Sequence, residues 1–155
     1  TLLGSCVSVC LMDLENGISG LNHFMLPGKI TSTNIFSDRS ARYGVTAINE
    51  LIKSMEETGA KRKNFKAKVF GGGHVLESEV RESTIPSDNI RLAMVMLEID
   101  DIPVIGSDVG ENFTRKLLLD VKTGKVYLKK STRKDVFDKI TEKEVEYARR
   151  SFTNG

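Results

Sequence analysis

The residues best equipped for covalent chemistry stand within the first 23 positions: Cys6 in Gly4-Ser5-Cys6, and His23, one of only two histidines. A cysteine attacks as its thiolate, and an imidazole within reach can take the thiol proton and later pass it to a leaving group. The small residues before Cys6 would let a substrate carbonyl approach backbone amides, which makes Gly4 and Ser5 candidates for an oxyanion hole. Thr1 could orient the imidazole through its hydroxyl, a role usually held by Asn or Asp. The chemistry this set permits is thiol-based acyl transfer. Spacing alone does not decide it, because a buried free cysteine is commonly just a small hydrophobe, and mid-strand Cys10 fits that description better still.

The elements that must position these groups can be read from the flanking pattern. Cys6 to Met12 has strand character, Asp13 to Gly17 is polar with Asn-Gly in turn position, and Ile18 to Phe24 reads as the returning strand. Counting outward from a turn centred at or just after Asn16 sets His23 opposite Val9 or Cys10, near the Cys6 end. Cα atoms four apart on a strand are roughly 13 Å from each other, so Cys6 and Cys10 are expected as free thiols, in keeping with a reducing compartment. The same separation disfavours a zinc site built from Cys6, Cys10, His23 and His74, and no metal is expected.

Beyond the hairpin, residues 27–41 form a Gly/Ser/Thr/Asn/Asp-rich loop beside the Cys/His region. An apolar stripe at Val45, Ile48, Leu51, Ile52 and Met55 predicts a helix over Tyr43 to Thr58, stopped by Gly59. Ala67 to Phe70 is a short strand running into Gly71-Gly72-Gly73-His74. That run lacks the Gly-Lys-Ser/Thr ending of a P-loop, so the glycines are read as permitting a sharp bend or a close backbone approach. Pro86-Ser87-Asp88 starts a second helix, with Ile90, Ala93, Met94, Met96 and Leu97 facing inward. Ile102 to Ile105 is a strand candidate weakened by Pro103, with Gly106 to Gly110 following as a connection. Arg115 to Val121 and Lys125 to Leu128 flank Lys122-Thr123-Gly124 as a hairpin, and Thr141-Glu142-Lys143-Glu144 has capping-box form, opening a helix to about Phe152.

At 155 residues the chain is long enough for one well-packed domain. Its formal net charge of +2 argues against a dedicated nucleic-acid binder, and the run Lys129 to Lys134 reads as a solvated face. No apolar run reaches the length of a membrane span and no secretory signal is visible, so a cytoplasmic location without membrane insertion is expected. The chain begins at Thr1, already inside an apolar pattern, and the expectation is a single domain over 1–155 whose natural N-terminus has been cut away. Element order points to an α/β (α+β) domain: a layered sandwich of mixed β-sheets with peripheral helices.

Five blocks in order, Thr1 to Cys10, Asn22-His23-Phe24-Met25-Leu26-Pro27, Ala67 to Gly72, Asp108-Val109-Gly110 and Arg115-Lys116, resemble the CheD family of chemoreceptor glutamine deamidases. The resemblance runs from Thr1 to about Lys130. It implies a protein-glutamine glutaminase, a cytoplasmic amidohydrolase that converts glutamines of methyl-accepting chemotaxis receptors to glutamate through a cysteine acyl-enzyme, with glutamyl methyl ester hydrolysis as a related activity. It also implies a fold related to bacterial toxin deamidases and a catalytic set of Cys6, His23 and Thr1. Gly4, Ser5 and Asn22 are then the oxyanion and substrate-binding candidates, and no cofactor is called for. A CheC-type phosphatase is implied as a partner, and the alternative reading is a non-catalytic protein that regulates such a phosphatase. The chain departs from the family pattern at Glu111, where a second glycine is expected, and at His74.

Overall fold

The computed structural model describes residues 1–75, 84–132, 141–143 and 145–146. Its strands are β1 (Leu2–Leu3), β2 (Val7–Asp13), β3 (Ile18–Leu21), β4 (Lys66–Gly71), β5 (Val104–Val109), β6 (Thr114–Leu119) and β7 (Val126–Ser131), with helices α1 (Ala41–Glu57) and α2 (Ile85–Ile99). They form a four-stranded sheet in the order β3-β2-β4-β5 and a three-stranded sheet in the order β1-β6-β7. The first is mixed, since β4 and β5 run parallel while β2 pairs antiparallel with both its neighbours; the second is antiparallel throughout.

Every residue of β2 is buried, because the strand is covered on both faces. Val7, Val9 and Leu11 pack with Ile48, Ile52 and Met55 of α1 and with Leu92, Met96 and Leu97 of α2. Cys6 and Cys10 belong instead to a second apolar cluster with Leu3, Phe70 and Leu117, between the two sheets. The result is an α+β sandwich of three layers: helices, the larger sheet, the smaller sheet. No described helix is long and apolar enough to cross a membrane.

The expected elements are present with shifted limits. The strand expected over Ile102 to Ile105 starts only after Pro103 and continues through Gly106, Ser107 and Asp108, which the composition had assigned to a connection. Pro103 cannot donate, but its carbonyl accepts from the Ala67 amide at 2.9 Å, and the edge strand then follows β4. Residues 141–143 and 145–146 of the expected C-terminal helix are helical; the rest of that stretch lies outside the described residues. The two-residue β1, too short to show a pattern, went unpredicted.

The loop before α1 is built on one carboxylate. Asp38 accepts from the amides of Thr31, Ser32, Ser40 and Ala41, at 2.8, 3.0, 2.9 and 3.2 Å. These bonds, with those of Ser32 and Thr31 the largest, hold its pKa at about 2, below the ordinary 3.8. Main-chain donors also organise the glycine run. Gly71 has φ +108, and a Cβ there would stand 2.1 Å from the Cys6 carbonyl oxygen. The amides of Gly72 and Gly73 donate to the carbonyls of Cys6 and Gly4 at 2.7 and 2.8 Å. Close approach is thus what the glycines serve, and these two amides are committed within the chain.

Behind the run lies Arg115, fully buried, whose Nε donates to Asp108 at 2.7 Å and whose Nη1 donates to the Gly110 carbonyl at 2.9 Å. Burial opposes the charge on Asp108, but hydrogen bonds from Lys130 and Arg115 overcome it and keep the carboxylate below its usual range. The loop so held returns two further bonds to the glycine segment: Gly110 amide to Gly71 carbonyl at 2.9 Å, and His74 amide to Glu111 carbonyl at 2.7 Å. Glu111 itself adopts φ +57, the left-handed conformation for which glycine would be the easier occupant.

Two stability measurements follow. Gly71→Ala should cost at least about 3 kcal/mol in urea denaturation, since strain and a backbone clash combine. Gly110→Ala, at φ +73 with open space around it, should cost only about 1–2 kcal/mol. For Asp38 the depressed pKa means that its stabilisation is complete above about 3.8 and is lost as pH falls toward about 2. Thermal midpoints of wild type and Asp38→Asn should therefore converge over that interval.

Candidate active site

The hairpin that carries both reactive groups is pinned by the pairs Asp13↔Ile18 and Cys10↔Leu21, and further along by the bridge Val7↔Phe24. Its loop is Leu14 to Gly17, closed by Asp13, which accepts from the amide and the side chain of Asn16 at 3.1 and 2.6 Å. This centres the turn between Glu15 and Asn16, slightly earlier than the count from Asn-Gly assumed. His23 accordingly falls opposite Ser8 in the register, not opposite Val9 or Cys10.

Val7 and Phe24 exchange both main-chain hydrogen bonds, each at 3.0 Å. Cys6 and His23 directly precede these two residues. On an antiparallel ladder that makes them diagonal neighbours, about 7 Å apart. The ladder is altered at the residue before His23. The Val9 amide donates at 2.9 Å to the side-chain oxygen of Asn22, in the place its carbonyl would normally take. That carbonyl turns away to accept from Ser8 Oγ at 2.6 Å. The Asn22 side-chain nitrogen donates to the Ala47 carbonyl of α1 at 3.2 Å. Asn22 is therefore engaged at every polar atom of its side chain and sets the peptide plane that leads into His23.

Thr1 arrives from the other sheet. Its carbonyl accepts from the Leu117 amide at 2.9 Å and its main-chain nitrogen donates to the Leu117 carbonyl at 2.8 Å. So docked, Thr1 Oγ1 lies 2.7 Å from His23 Nδ1 in a hydrogen bond. His23 is exposed, yet enough protein surrounds its ring that desolvation holds its pKa below the ordinary 6.5. The ring is thus biased toward its neutral form at pH 7, the form that can accept a proton.

Cys6 is 5% exposed and Ser5 4%. Ser5 Oγ donates weakly to Met25 Sδ at 3.6 Å. Cys10 is a different kind of thiol: fully buried, with burial pushing its pKa up to about 11 against a smaller opposing contribution from Ser8, which suits an inert core residue. Neither cysteine forms a disulfide. The second histidine, His74, is exposed and follows the glycine run.

Two residues near this centre escaped sequence reasoning. One is Arg115, which the sequence placed at the start of a strand and in a block of family resemblance but to which it assigned no role. The other is Asn89, buried on α2, whose side chain donates to the Ser5 carbonyl at 2.8 Å and accepts from the Leu26 amide at 2.9 Å. A signal for Asn89 was present. It stands three, four, seven and eight residues before Leu92, Ala93, Met96 and Leu97, in the apolar stripe of the helix, where a polar residue needs dedicated partners.

The sequence model of the family described as CheD chemotactic sensory transduction matches residues 25–130. The match starts two residues after His23, but pairwise similarity extends over the N-terminal hairpin. A protein of Laribacter hongkongensis named "Probable chemoreceptor glutamine deamidase CheD" is 40% identical over 97% of this chain and 72% of its own length. Similarly named proteins of Methylobacillus flagellatus and Dechloromonas aromatica are 42% and 41% identical over 84% of this chain, and the chain covers 64% and 63% of their lengths.

The electrostatics of His23 can be checked without any substrate. Ring-proton titration by NMR should give a pKa below 6.5.

Proposed function

The chain belongs to the CheD family, and from that premise we propose that it is a protein-glutamine glutaminase acting on methyl-accepting chemotaxis receptors, with Cys6 as nucleophile, His23 as base and acid, and Thr1 orienting the imidazole. The observation that carries the residue assignment is the 2.7 Å hydrogen bond from Thr1 Oγ1 to His23 Nδ1, on an imidazole held beside Cys6 by the Val7–Phe24 pair. In this reading the ring carries its hydrogen on Nδ1 and donates it to Thr1 Oγ1. The Nε2 lone pair is then left for the Cys6 thiol.

His23 takes the proton from Cys6, and the thiolate sulfur bonds to the glutamine carboxamide carbon. The tetrahedral oxyanion faces the main chain of Gly4, Ser5 and Cys6. As the C–N bond breaks, His23 returns the proton to nitrogen and ammonia leaves, with a thioester on Cys6. Water, deprotonated by His23, attacks the thioester, and the C–S bond breaks to give glutamate and the thiol. A glutamyl methyl ester entering the same path would release methanol in place of ammonia.

The low exposure of Cys6 favours a side-chain amide over a peptide bond. A glutamine presents its carboxamide at the end of an unbranched stem, whereas a scissile peptide must be flanked by chain on both sides. A cytoplasmic location and a single domain over residues 1–155 complete the reading, with a CheC-type phosphatase as a regulatory partner.

Incubation with a receptor cytoplasmic fragment, followed by mass spectrometry, tests this. Wild type should add about one mass unit per modified glutamine at intact chain length, as amide becomes acid. Cys6→Ala should abolish the change, and His23→Ala should slow it by about 100-fold or more. Full activity in Cys6→Ala would sink the assignment of the nucleophile, whereas no mass change with wild type would leave a non-catalytic, phosphatase-binding role as the better account.

A further inference from the structure

We propose that Asn89 is a positioning residue of this active site, a brace between the main chain of the nucleophile loop and the main chain of the strand bearing the base. The inference rests on the roles assigned above to Cys6 and His23. Ser5, whose carbonyl accepts from Asn89 Nδ2 at 2.8 Å, immediately precedes Cys6. Leu26, whose amide donates to Asn89 Oδ1 at 2.9 Å, lies three residues after His23. The two bonded segments flank the Val7–Phe24 pair on its Cys6 side. One planar amide therefore sets the distance between them.

Only a side chain with a donor and an acceptor at fixed separation can make both bonds. Aspartate would present a second acceptor to the Ser5 carbonyl, and leucine neither group. Nor is this a buried polar group satisfied by its own helix, since both partners are main-chain atoms of segments 84 and 63 residues away in sequence. The amide is carried on a rigid support. Leu92, Ala93, Met96 and Leu97 anchor α2 in the core, and the next residue, Ile90, sits where Gly72 has no side chain. Since Gly72 also donates to the Cys6 carbonyl, the N-terminal part of α2 meets the nucleophile loop both through Asn89 and through the glycine run.

A brace acts on geometry, so its loss should appear in turnover rather than in substrate affinity. Asn89→Asp keeps the acceptor for Leu26 and loses the donor to Ser5; Asn89→Leu loses both. Each would be assayed for ammonia release from the receptor fragment and for alkylation of Cys6 by iodoacetamide across pH, with the labelled site located by mass spectrometry. Both variants should remain folded by circular dichroism and lose about 10–100-fold in kcat, with KM within about two-fold. The midpoint of the Cys6 alkylation profile should move upward as the imidazole loses its fixed approach to the thiol. Unchanged kcat and an unchanged profile in folded Asn89→Asp would overturn the inference, and so would unfolding of both variants, which would assign Asn89 to core stability. Cys6→Ala, run alongside, separates the two levels. If it is inactive while the Asn89 variants are normal, only the brace fails; if it is active, the underlying site fails.

Discussion

The structure depends on a close passage of two backbones. Gly71, Gly72 and Gly73 run so near the Gly4-Ser5-Cys6 segment that Gly72 donates to the Cys6 carbonyl and Gly73 to the Gly4 carbonyl, and a single methyl on Gly71 would collide with the Cys6 carbonyl oxygen. This passage shapes the loop that presents the thiol. It is itself supported from behind by Arg115, through the 108–113 loop, and from the helix side by the N-terminal part of α2. Side chains contribute to the site mostly by deciding where main chain may go.

The same economy governs the polar residues around it. Asn22, Asn89 and Asp38 are all buried or half-buried; the two asparagines direct their side chains to main-chain groups of other segments, and Asp38 to main-chain groups of its own loop. A buried amide or carboxylate left unpaired is costly, so each such residue accepts only the loop geometry that satisfies it. Asn22 does this in a particular way. By substituting its side-chain oxygen for its own carbonyl in the ladder, it preserves the pairing of β2 while re-aiming the peptide ahead of His23.

Much of this was legible beforehand. The hairpin, both long helices, cysteines that form no disulfide and the glycine run as a point of close approach were all accessible from periodicity, turn chemistry and strand geometry. The register of His23 was missed by one or two positions because a turn signal fixes the neighbourhood of a loop and not its centre; here Asp13, bonding forward to Asn16, decided it. β5 was read too short because Gly106-Ser107-Asp108 has loop composition, whereas its conformation is imposed by pairing with β4. Asn89 and Arg115 could not be interpreted without coordinates, since their partners lie far away in sequence or on loops whose course is set by the fold. Recognition of Cys6, His23 and Thr1 as a set came from family resemblance. Local pattern alone left each with an ordinary structural explanation.

The docking of Thr1 on Leu117 has a consequence for the order in which the protein comes into being. The Cys6 thiol and the His23 imidazole share one hairpin, complete once residues 1–24 have been synthesised. The Thr1 hydroxyl bonded to that imidazole is held in place by a strand 116 residues further along. A nascent or truncated chain lacking β6 therefore carries both groups without the strand that holds Thr1 against the imidazole. The Thr1–His23 contact is in this way coupled to completion of the fold.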